Sequence, residues 1–579
     1  MKSKTPRFDA ALDAYYSKLE LDEKGGQTRT CRISGEPFYI RPEDIAFYKN
    51  IRVPLPTVSP DERHRQKFAF TNIYNLFKVK SAFSGKTIVA MYPPNTPYKI
   101  YEHKAWFGDQ WNPMDYGRAI DMNAPFFEQF KKLTLDVPRF NLFIDPASVG
   151  TEYANVVLGV KNCYLIFDSV GAENCWNGAG YIYSTNSGNS CGLYSSDSCY
   201  GLLDCKNMYR SFWCEQSRDC QDSYFLYDCR SCDSCFGSVN LRHKKHYFLN
   251  EPLSKEAYAA RIKEINFGSR DVVERYKKQF EELKKRAIHR PNHNENTKDS
   301  IGDRLVNSTN CYESSFMEGA QNVAYSMGGF NARDSYHNFG GLNVERCYES
   351  LTSLNSANCK FCYFDKNGQN LEYSWDCNAC EDCFGCVALS KKKFCIFNKQ
   401  YMEDEYWPLV DTLKTAMLER GEYGEFYPPH LSPFPYNISF ATSYIGYDNV
   451  EEARKLGYPV EIIPETDGSA DGEIVRADTL PDDIRDIHDD ILRTIILGRD
   501  NKKFRVTKTE LDFYRMHSLP LPQENPITLI EKMRKAFGSI RTQFYTRTCP
   551  KCGCSFQTVY PPSDPRIVYC EKCYLESVG

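Results

Sequence analysis

The sequence predicts a mainly β protein in which two duplicated parallel β-helix (solenoid) lobes with helical caps are flanked by two related small modules. Three observations support this fold class. The chain repeats itself, since residues 161–258 align with 309–406 without a gap. Both stretches alternate short Tyr-, Phe- and Cys-containing segments with Gly, Asn, Ser and Asp turns, which is typical of short stacked strands. The chain also ends in two CxxC pairs.

Length and composition restrict the class of protein. A chain of 579 residues is too long for one ordinary core of about 100 to 200 residues. Its 72 Lys and Arg against 76 Asp and Glu give a net charge of -4, which argues against a polycation that coats nucleic acid or anionic membranes. The N-terminus lacks the apolar segment of a signal peptide, and no apolar stretch is long enough to span a membrane. We therefore expect a soluble cytoplasmic protein without a membrane partner, whose 25 cysteines are thiols or metal ligands and not disulfides.

The two lobes match best near their ends. Cys229, Cys232 and Cys235 of the first lobe align with Cys377, Cys380 and Cys383 of the second. Within each lobe, Asn, Ser or Asp precedes a Cys or aromatic residue about every 10 to 12 positions, and we interpret each such unit as one strand and its turn. A coil would then hold about 20 residues, with Cys and aromatic side chains stacked inside. An antiparallel sandwich is the alternative architecture.

The C-terminal CxxC pairs predict a zinc site. Cys549 and Cys552 are separated by 17 residues from Cys570 and Cys573, a spacing that lets two knuckles converge on one tetrahedral Zn²⁺. Four thiolates leave no open position, so we expect one structural ion that stabilises a module too small for its own hydrophobic core. Cys554 is close enough to replace a ligand, but the simplest interpretation leaves it free.

The N-terminal sister module has lost these ligands. The alignment places Ser81, Ser84, Glu102 and Ala105 at the four ligand positions, and these residues cannot bind zinc as four thiolates do. We expect its fold to persist without metal through aromatic packing. Cys31 is interpreted as a leftover ligand, because no second CxxC pair follows it before the lobes.

These patterns divide the chain into segments. The two ends are related, because residues 38–60 align with 504–526 and residues 84–106 with 552–574. Helical periodicity after each lobe predicts caps for the solenoid ends. The predicted segments are an N-terminal helical segment (1–30), a degenerate zinc-ribbon-like module (31–110), a connector (111–150), lobe 1 (151–250), a helical cap (251–300), lobe 2 (301–400), a second helical cap (401–425), linker and small elements (426–500) and a zinc-ribbon module (501–579).

The cysteine clusters inside the lobes have two interpretations. Cys377, Cys380, Cys383 and Cys386, and the corresponding triplet of the first lobe, could hold zinc or an iron–sulfur cluster. Alternatively, cysteine is a small and commonly buried residue, and these thiols stack in the interior. Spacing alone does not separate a second metal site from stacked thiols.

Two basic clusters occupy corresponding places in the lobes. They contain Arg242, Lys244 and Lys245 in the first lobe and Lys391, Lys392 and Lys393 in the second. With the aromatic residues beside them, such clusters could contact phosphate backbones and stack on bases. Solvated turns are the simpler interpretation, so protein and nucleic acid are both candidate partners.

An enzymatic alternative follows from the fold class, because parallel β-helices also carry polysaccharide-cleaving enzymes with paired carboxylates. The pairs to inspect are Asp222 with Asp228 and Asp376 with Asp382. Asp in such turns usually bonds its own backbone, and only Asp228 and Asp376 match between the lobes. The sequence contains no P-loop, dinucleotide-binding, HExxH or GxSxG motif, which lowers the expectation of an enzyme.

Several motifs together resemble a group of uncharacterised, cysteine-rich proteins from metagenomic, ultra-small bacteria. The motifs are CxxSGxxF, FYxxxxxPLP, CYLxF, DCxxCxxCFG and the closing CPxCG…YPP…YCExCY, and they span most of the chain. In that group both terminal modules tend to keep CxxC pairs, so this chain departs by lacking the N-terminal pairs and the CPxCR that usually follows PLP. Ser59-Pro60 and Asn525-Pro526 stand where that motif would begin. The resemblance implies a zinc ribbon and a cytoplasmic location but no activity.

The sequence therefore predicts a binding or scaffold protein with one structural Zn²⁺ and a protein or nucleic-acid partner. No residue set identifies a reaction. A carbohydrate-active β-helix enzyme and a thiol-based metal-binding protein are the alternatives, and the oligomeric state stays open.

Overall fold

The computed structural model describes residues 3–443, 447–462, 473–537 and 543–579. The chain is mainly β and is organised around a β-solenoid of about 20 turns. Two segments, residues 149–250 and 295–398, form it, and we call them the first and second solenoids. Within the described residues, no helix combines the length and the apolar character needed to cross a bilayer. The predicted linker sequence ETDGSADGE lies outside the described residues except for its final Glu.

Helices and short hairpins make up the N-terminal region. Its elements are α1 (Pro6–Ser17), β1 (Gln27–Thr30), β2 (Pro37–Ile40), α2 (Pro42–Asn50), α3 (Pro60–Ala69), β3 (Phe77–Lys80), β4 (Thr87–Ala90), β5 (Ile100–Tyr101), α4 (His103–Trp106), a 3₁₀ helix (Pro113–Tyr116), α5 (Phe126–Asp136) and β6 (Arg139–Phe140).

The solenoids follow, with helices after each one. The first contains β7 (Asn155–Leu158), β8 (Tyr164–Val170), β9 (Trp176–Ile182), β10 (Cys191–Tyr194), β11 (Leu203–Lys206), β12 (Tyr224–Tyr227), β13 (Phe236–Val239) and β14 (Tyr247–Phe248), and it leads into β15 (Glu251–Pro252), α6 (Lys255–Lys263), α7 (Arg270–Lys284) and β16 (Ile288–His289). The second contains β17 (Ile301–Val306), β18 (Thr309–Glu318), β19 (Gln321–Ala324), β20 (Met327–Phe330), β21 (Arg333–Tyr336), β22 (Gln369–Glu372), β23 (Glu381–Phe384) and β24 (Lys393–Ile396), and it leads into β25 (Lys399–Gln400) and α8 (Glu403–Glu419).

The C-terminal region again consists of helices and hairpins. Its elements are 3₁₀ helices (Pro429–Leu431, Tyr436–Ile438, Phe440–Ser443, Ala477–Thr479, Ile484–Asp486 and Asp489–Leu492), α9 (Val450–Lys455), β26 (Ile474–Arg476), β27 (Ile495–Leu497), β28 (Lys503–Phe504), α10 (Lys508–Met516), α11 (Pro526–Phe537), β29 (Tyr545–Thr548), β30 (Ser555–Thr558), β31 (Ile567–Val568) and α12 (Glu571–Val578).

Each regular coil of the solenoids contains 12 residues. Bridge partners in the first solenoid run from Lys161 to Glu173 to Thr185 and onwards in steps of 12. The coil has four sides of three residues, because every third residue from 150 to 249 has a positive φ and turns a corner. The predicted coil of about 20 residues is therefore wrong. The 10-to-12-residue period of the turn residues is the whole coil, and not one strand with its turn.

The corners explain the abundance of Asn, Asp, Ser and Gly in this chain. A left-handed conformation costs most residues roughly 1–2 kcal/mol, whereas Asn, Asp and Gly adopt it more readily. One corner of the second solenoid carries Asn331, Asn343, Asn355 and Asn367 in successive coils. Their side-chain amides form a row of hydrogen bonds of 3.0, 2.9 and 3.3 Å along the surface. Asn and Asp, and not glycine alone, therefore occupy the left-handed corner positions.

The ladder between coils uses two of the three N–H groups in each side. The outward residue donates to the next coil and the corner residue donates to the previous one, as Tyr164 and Leu165 do. The N–H of the third, inward residue points into the interior. Since a buried N–H group without an acceptor is costly, the interior itself must supply that acceptor.

Inward Ser side chains accept many of these remaining N–H groups, and the thiols of Cys163 and Cys220 accept one each. Ser223 Oγ accepts from the N–H of Cys235, one coil later, at 3.1 Å. Cys163 Sγ accepts from the N–H of Cys175 in the same way at 3.4 Å. Cysteine in this interior is therefore a small filler whose Sγ mostly contacts backbone carbonyl oxygens, as at Cys229 and Cys377, and accepts an N–H at Cys163 and Cys220.

The two solenoids lie side by side with opposite chain directions. Arg304, near the start of the second solenoid, pairs with Asp204 in the later half of the first at 2.9 Å. Lys366, in the later half of the second, approaches Asp145 at the start of the first at 3.9 Å. The junction between them therefore runs along most of their length.

The two end regions dock crosswise on this pair. Tyr48 of α2 meets Tyr348 of the second solenoid edge-on, with ring centroids 5.6 Å apart. Tyr514 of α10 meets Tyr200 of the first solenoid edge-on at 5.4 Å. Tyr48 and Tyr514 occupy aligned positions in the end regions, as Tyr200 and Tyr348 do in the repeat. Each end region thus makes the same contact on the solenoid farther from it in sequence.

A buried ion-pair cluster fixes α3 to the second solenoid. Glu349, at a corner, accepts hydrogen bonds from Arg63 and Lys67, and these side chains are at most 3% exposed. Burial lowers the pKa of Lys67 to about 8, although Glu349 opposes this shift. Since breaking a buried pair leaves an uncompensated charge, the cluster makes the docking of α3 specific.

The acceptor role of the inward side chains is tested at Ser223. Ser223→Ala leaves the Cys235 N–H buried without the acceptor it has now, and we expect the free energy of unfolding to fall by about 1–3 kcal/mol. Ser223→Cys is the matched control, because a thiol accepts the equivalent bond at Cys220, and it should cost less. Equal losses in urea denaturation of the two variants would contradict this role.

The docking of α3 is tested at Glu349. Glu349→Gln removes the charge shared by Arg63 and Lys67, and we expect a loss of about 3–5 kcal/mol in the free energy of unfolding. The control is Glu345→Gln, whose side chain is 54% exposed and whose substitution should change stability by no more than about 0.5 kcal/mol. Thermal unfolding of both variants gives the comparison, and a Glu349 variant as stable as the control would refute the cluster's importance.

Candidate metal centre and basic surfaces

The C-terminal module positions four cysteines with a hairpin and a helix. Cys549 and Cys552 lie in the turn between β29 and β30, where the N–H of Gly553 donates to the Cys549 carbonyl at 2.9 Å. Gly553 has a φ of 76°, which lets the turn close tightly. Cys570 is the N-cap residue of α12, and Cys573 lies in the first turn of that helix. The second pair is therefore carried by the start of a helix.

The four sulfur atoms form one compact group. They lie within 4.8 Å of one another, and those of Cys552 and Cys570 are 3.7 Å apart. Thiolates at about 2.3 Å from a tetrahedral ion are about 3.8 Å from each other, so this group could hold a metal ion with little movement. In the described parts of the chain, no other set of three or more His, Cys, Asp or Glu residues is as compact.

The surroundings favour the thiolate form, which is the form that binds metal, at Cys549 and Cys552, whereas burial and the neighbouring thiols raise the pKa of Cys573. Although burial opposes ionisation, N–H groups of Cys570, Cys552 and Lys551 lower the pKa of Cys549 to about 6. The N–H of Cys570 lies 3.4 Å from Cys549 Sγ. The start of α12 adds the positive end of a helix dipole. Cys554 is exposed and lies outside the group of four.

The module is docked where the two solenoids meet. Its strand β31 pairs in parallel with β16. Tyr574 of α12 donates a hydrogen bond to Asp228 of the first solenoid, and Arg242 pairs with the same carboxylate at 3.0 Å. Glu571 of α12 pairs with Arg290 at 3.0 Å. The helix that carries two of the four cysteines is thus joined directly to the first solenoid.

The N-terminal module that the sequence aligns with this site has a similar arrangement of hairpin and helix. Ser81 and Ser84 lie in the turn between β3 and β4, and Glu102 is the N-cap residue of α4, which contains Ala105. Ser81 donates a hydrogen bond to the Glu102 carboxylate, and this bond lowers the pKa of Glu102. A direct hydrogen bond therefore joins hairpin and helix at the place where the C-terminal module has sulfur atoms.

The structure also contains a further module of this kind that sequence reasoning missed. Cys31 and Ser34 lie in the turn between β1 and β2, while Ser59 is the N-cap residue of α3 and Glu62 lies in its first turn. The N–H of Ser59 donates to Cys31 Sγ at 3.3 Å, as the corresponding N–H does in the C-terminal module. The run TRTC, which precedes both turns, is the sequence feature that could have revealed it.

The cysteines of the predicted second metal site line one coil of the second solenoid. Cys377, Cys380, Cys383 and Cys386 occupy its four inward positions, and all are buried. Their Sγ atoms lie 3.5, 3.5, 3.4 and 3.5 Å from the carbonyl oxygen two residues earlier. Burial raises the pKa of Cys377 well above its ordinary value. Hydrogen bonds from Cys377 and Cys383, by contrast, lower the pKa of Cys380 to about 4. Metal binding at these residues stays a prediction.

The predicted basic clusters are partly neutralised within the fold. Arg242 is committed to Asp228, Lys245 pairs with Asp233 at 3.1 Å, and Lys393 pairs with Glu381. The other members are Lys244 and Lys391, which are exposed, and Lys392, which is half-buried. The structure places the two clusters on different solenoids, near the last coil of each.

Three of the four candidate catalytic carboxylates lie in ion pairs, and the fourth, Asp382, accepts a hydrogen bond from Asn370 at 2.9 Å. Asp228 is bonded as described, and Asp376 is buried with its nearest carboxylate oxygen 3.7 Å from Arg139. Burial raises the pKa of Asp376 to about 6, and Arg139 opposes this rise. Asp222 lines an open cavity of about 610 Å³ but pairs with Arg210 at 2.7 Å. The two carboxylates that match between the solenoids therefore hold docked regions in place.

Neither a protein-family model nor a curated protein matches this chain. We therefore infer its function from the geometry of the sites themselves.

The equivalence of the two end modules is tested by restoring the ligands. The variant Ser81→Cys/Ser84→Cys/Glu102→Cys/Ala105→Cys should bind one metal ion more per chain than the wild type, because the hairpin and helix already hold these four positions together. Ser81→Cys/Ser84→Cys alone supplies only half of the ligands and should add none. Elemental analysis after gel filtration measures the stoichiometry, and an unchanged metal content of the fourfold variant would contradict the equivalence.

Proposed function

We propose that this protein is a zinc-containing β-solenoid scaffold that binds a protein or nucleic-acid partner. The observation that carries the proposal is the direct link between the four-cysteine group and the first solenoid. Tyr574, which bonds to Asp228, follows the candidate ligand Cys573 in sequence. An ion that fixes the start of α12 would therefore also fix the docking of the module, which is a structural role.

Zinc is the ion that the ligand set favours. Four thiolates with two from a hairpin turn and two from a helix start give a closed tetrahedral site, in which no position is open to a substrate. The observed separation of 3.7 Å between Cys552 and Cys570 sulfurs agrees with the about 3.8 Å expected for Zn–S distances of about 2.3 Å. We therefore assign one Zn²⁺ with a structural function to this module.

A scaffold fits the remaining sites better than the two alternatives do. The carbohydrate-active enzyme requires convergent free carboxylates, whereas Asp228 and Asp376 are bonded to Arg242 and Arg139. The thiol-based metal-binding protein requires accessible thiolates, whereas the solenoid cysteines are buried. The outer columns of the solenoids, by contrast, are long and regular surfaces suited to binding a partner.

Duplication of both the solenoids and the end modules is part of this proposal. The matching Tyr contacts on the two solenoids support it. The last coils also close alike, because Asn250 Oδ1 accepts from Val239 N and Asn398 Oδ1 accepts from Val387 N, both at 2.8 Å. The relationship to the cysteine-rich bacterial group is also part of this proposal, and the motifs that span most of the chain support it.

A cytoplasmic location is also proposed. None of the 25 cysteines, all of which the structure describes, forms a disulfide in this fold, and the thiols of Cys163 and Cys220 accept hydrogen bonds from buried N–H groups. A reducing compartment keeps such thiols intact.

Metal analysis tests the proposal. Protein purified under reducing conditions should contain one zinc per chain, and Cys570→Ser/Cys573→Ser should contain none, because two thiolate ligands are lost. In that variant α12 should become susceptible to limited proteolysis while the solenoids stay protected, since only the end module depends on the ion.

The matched control is Cys380→Ser/Cys383→Ser, which removes two interior thiols and should keep its zinc. Three or more metal ions per chain in the wild type, or loss of zinc in this control, would refute a single structural site. Such a result would favour metal binding along the solenoid instead.

A further inference from the structure

A column of four basic residues runs along the first solenoid. Lys206, Arg218, Arg230 and Arg242 occupy the same outward position in four successive coils and are bridge partners of one another. Neighbouring coils are about 4.8 Å apart, so the column spans about 14 Å. We call it the basic column, and its last member, Arg242, also belongs to the basic cluster predicted from sequence.

The basic column carries more positive charge than its surroundings neutralise. Arg218 and Arg230 both approach the single carboxylate of Glu295, the latter at 3.7 Å. Arg242 pairs with Asp228, and the adjacent Arg290 pairs with Glu571. Asp204 also acts on Arg218, but it is paired with Arg304 at 2.9 Å. Five cations, counting Lys206 and Arg290, thus share the three carboxylates of Glu295, Asp228 and Glu571, and an added anion would offset their mutual repulsion.

Two guanidinium groups at the basic column have an N–H group without a hydrogen-bond acceptor in the described part of the chain. The Nε atoms of Arg230 and Arg290 are buried without a hydrogen-bond acceptor among the described residues. Burial lowers the pKa of Arg230, and the charges of Arg290, Arg218 and Arg242 lower it further. The Arg230 side chain is nevertheless 33% exposed, whereas those of Arg218 and Arg242 are 20% and 11% exposed. A ligand therefore reaches the basic column mainly at Arg230 and the half-buried Lys206.

Exposed aromatic rings lie beside the basic column. Tyr209, three residues after Lys206 on the next side of the same coil, is 43% exposed. The guanidinium of Arg210 lies 4.9 Å from its ring centroid. Tyr183, at the corner that follows the column two coils earlier, is 66% exposed. Rings of this kind offer stacking surfaces to unpaired bases.

We propose that the basic column binds the phosphate backbone of a single-stranded nucleic acid, with Tyr209 and Tyr183 available to stack on its bases. Cations at a regular spacing match a ligand whose anionic groups also repeat at a regular spacing. The guanidinium group of Arg can form two parallel hydrogen bonds to the oxygens of one phosphate. The exposed rings favour nucleic acid over an acidic protein segment or an inorganic polyphosphate, since every nucleotide carries a base that can stack on a ring, whereas carboxylate side chains and polyphosphate carry none. This inference rests on the proposed scaffold function and names its partner.

Fluorescence anisotropy with a labelled uridylate oligomer of about 15 nucleotides tests this inference. Arg218→Gln/Arg230→Gln should raise the Kd at least about tenfold. It should also reduce the slope of log Kd against the logarithm of the salt concentration by about 1.4, that is, by about 0.7 for each lost phosphate contact. The matched control is Lys277→Gln/Lys278→Gln, which removes the same charge from exposed positions on α7 and should change the Kd less than about twofold.

Two single variants guard against loss of folding. Lys206→Gln should also weaken binding of the oligomer. Lys206 belongs to none of the ion pairs described above, so this substitution leaves no carboxylate without its partner. Tyr209→Ala should weaken binding of the oligomer but leave binding of inorganic polyphosphate unchanged, because polyphosphate has no bases.

The inference is overturned if the basic-column variants bind the oligomer as the wild type does. It is also overturned if poly-glutamate or polyphosphate competes as well as unlabelled oligomer, since that result would show a general anion surface. Suppose that the protein contains one zinc per chain and binds a protein partner whose affinity these substitutions do not change. This inference would then be wrong, and the proposed scaffold function would still hold. Absence of zinc would instead remove the proposed metal centre, whatever the oligomer does.

Discussion

The structure depends on one backbone constraint, the inward-pointing N–H of each three-residue side. Two of every three N–H groups enter the ladder between coils, and the third must be accepted inside a very narrow interior. Ser meets this requirement most often, because it places an acceptor atom one bond beyond Cβ, as Ser223 does, and Cys163 and Cys220 act in the same way. Most other solenoid cysteines direct Sγ at a backbone carbonyl oxygen instead, as Cys377 does, and the C-terminal four are the exception that converges on one point.

The corners of the same coil provide the docking points for the rest of the chain. Asp204, Asp228, Glu349 and Asp376 all have positive φ values and lie at corners. Each pairs with an Arg or Lys from elsewhere in the chain or from a later coil. A carboxylate at a corner projects from the edge between two sides, where a docked helix or loop can reach it. Because a buried pair adds specificity more reliably than stability, these corners determine where each region docks.

Much of this organisation could be predicted from the sequence, but not its finest period. The parallel solenoid, the compact Cys549 group and the helices after each solenoid follow from repeats and spacing. The coil length did not, because corners also hold residues such as Phe225 and Tyr183, so no single residue type marks every third position. The module around Cys31 was missed because only one of its four ligand positions is still a cysteine. What survives there is a backbone hydrogen bond from Ser59, which leaves little trace in residue identity.

Because each end region docks on the solenoid farther from it in sequence, the N-terminal helices are synthesised long before the surface on which they dock. The hydroxyl of Tyr325 donates to Asp44 of α2 at 2.8 Å, across 281 residues of chain. At about 5–20 residues per second, α2 leaves the ribosome roughly 15–55 s before its partner does. During that interval its aromatic face has no native surface to cover it. The aromatic face of the N-terminal helices in the nascent chain would therefore need protection from solvent and from other chains until its docking surface has been made. The folded protein no longer needs this protection.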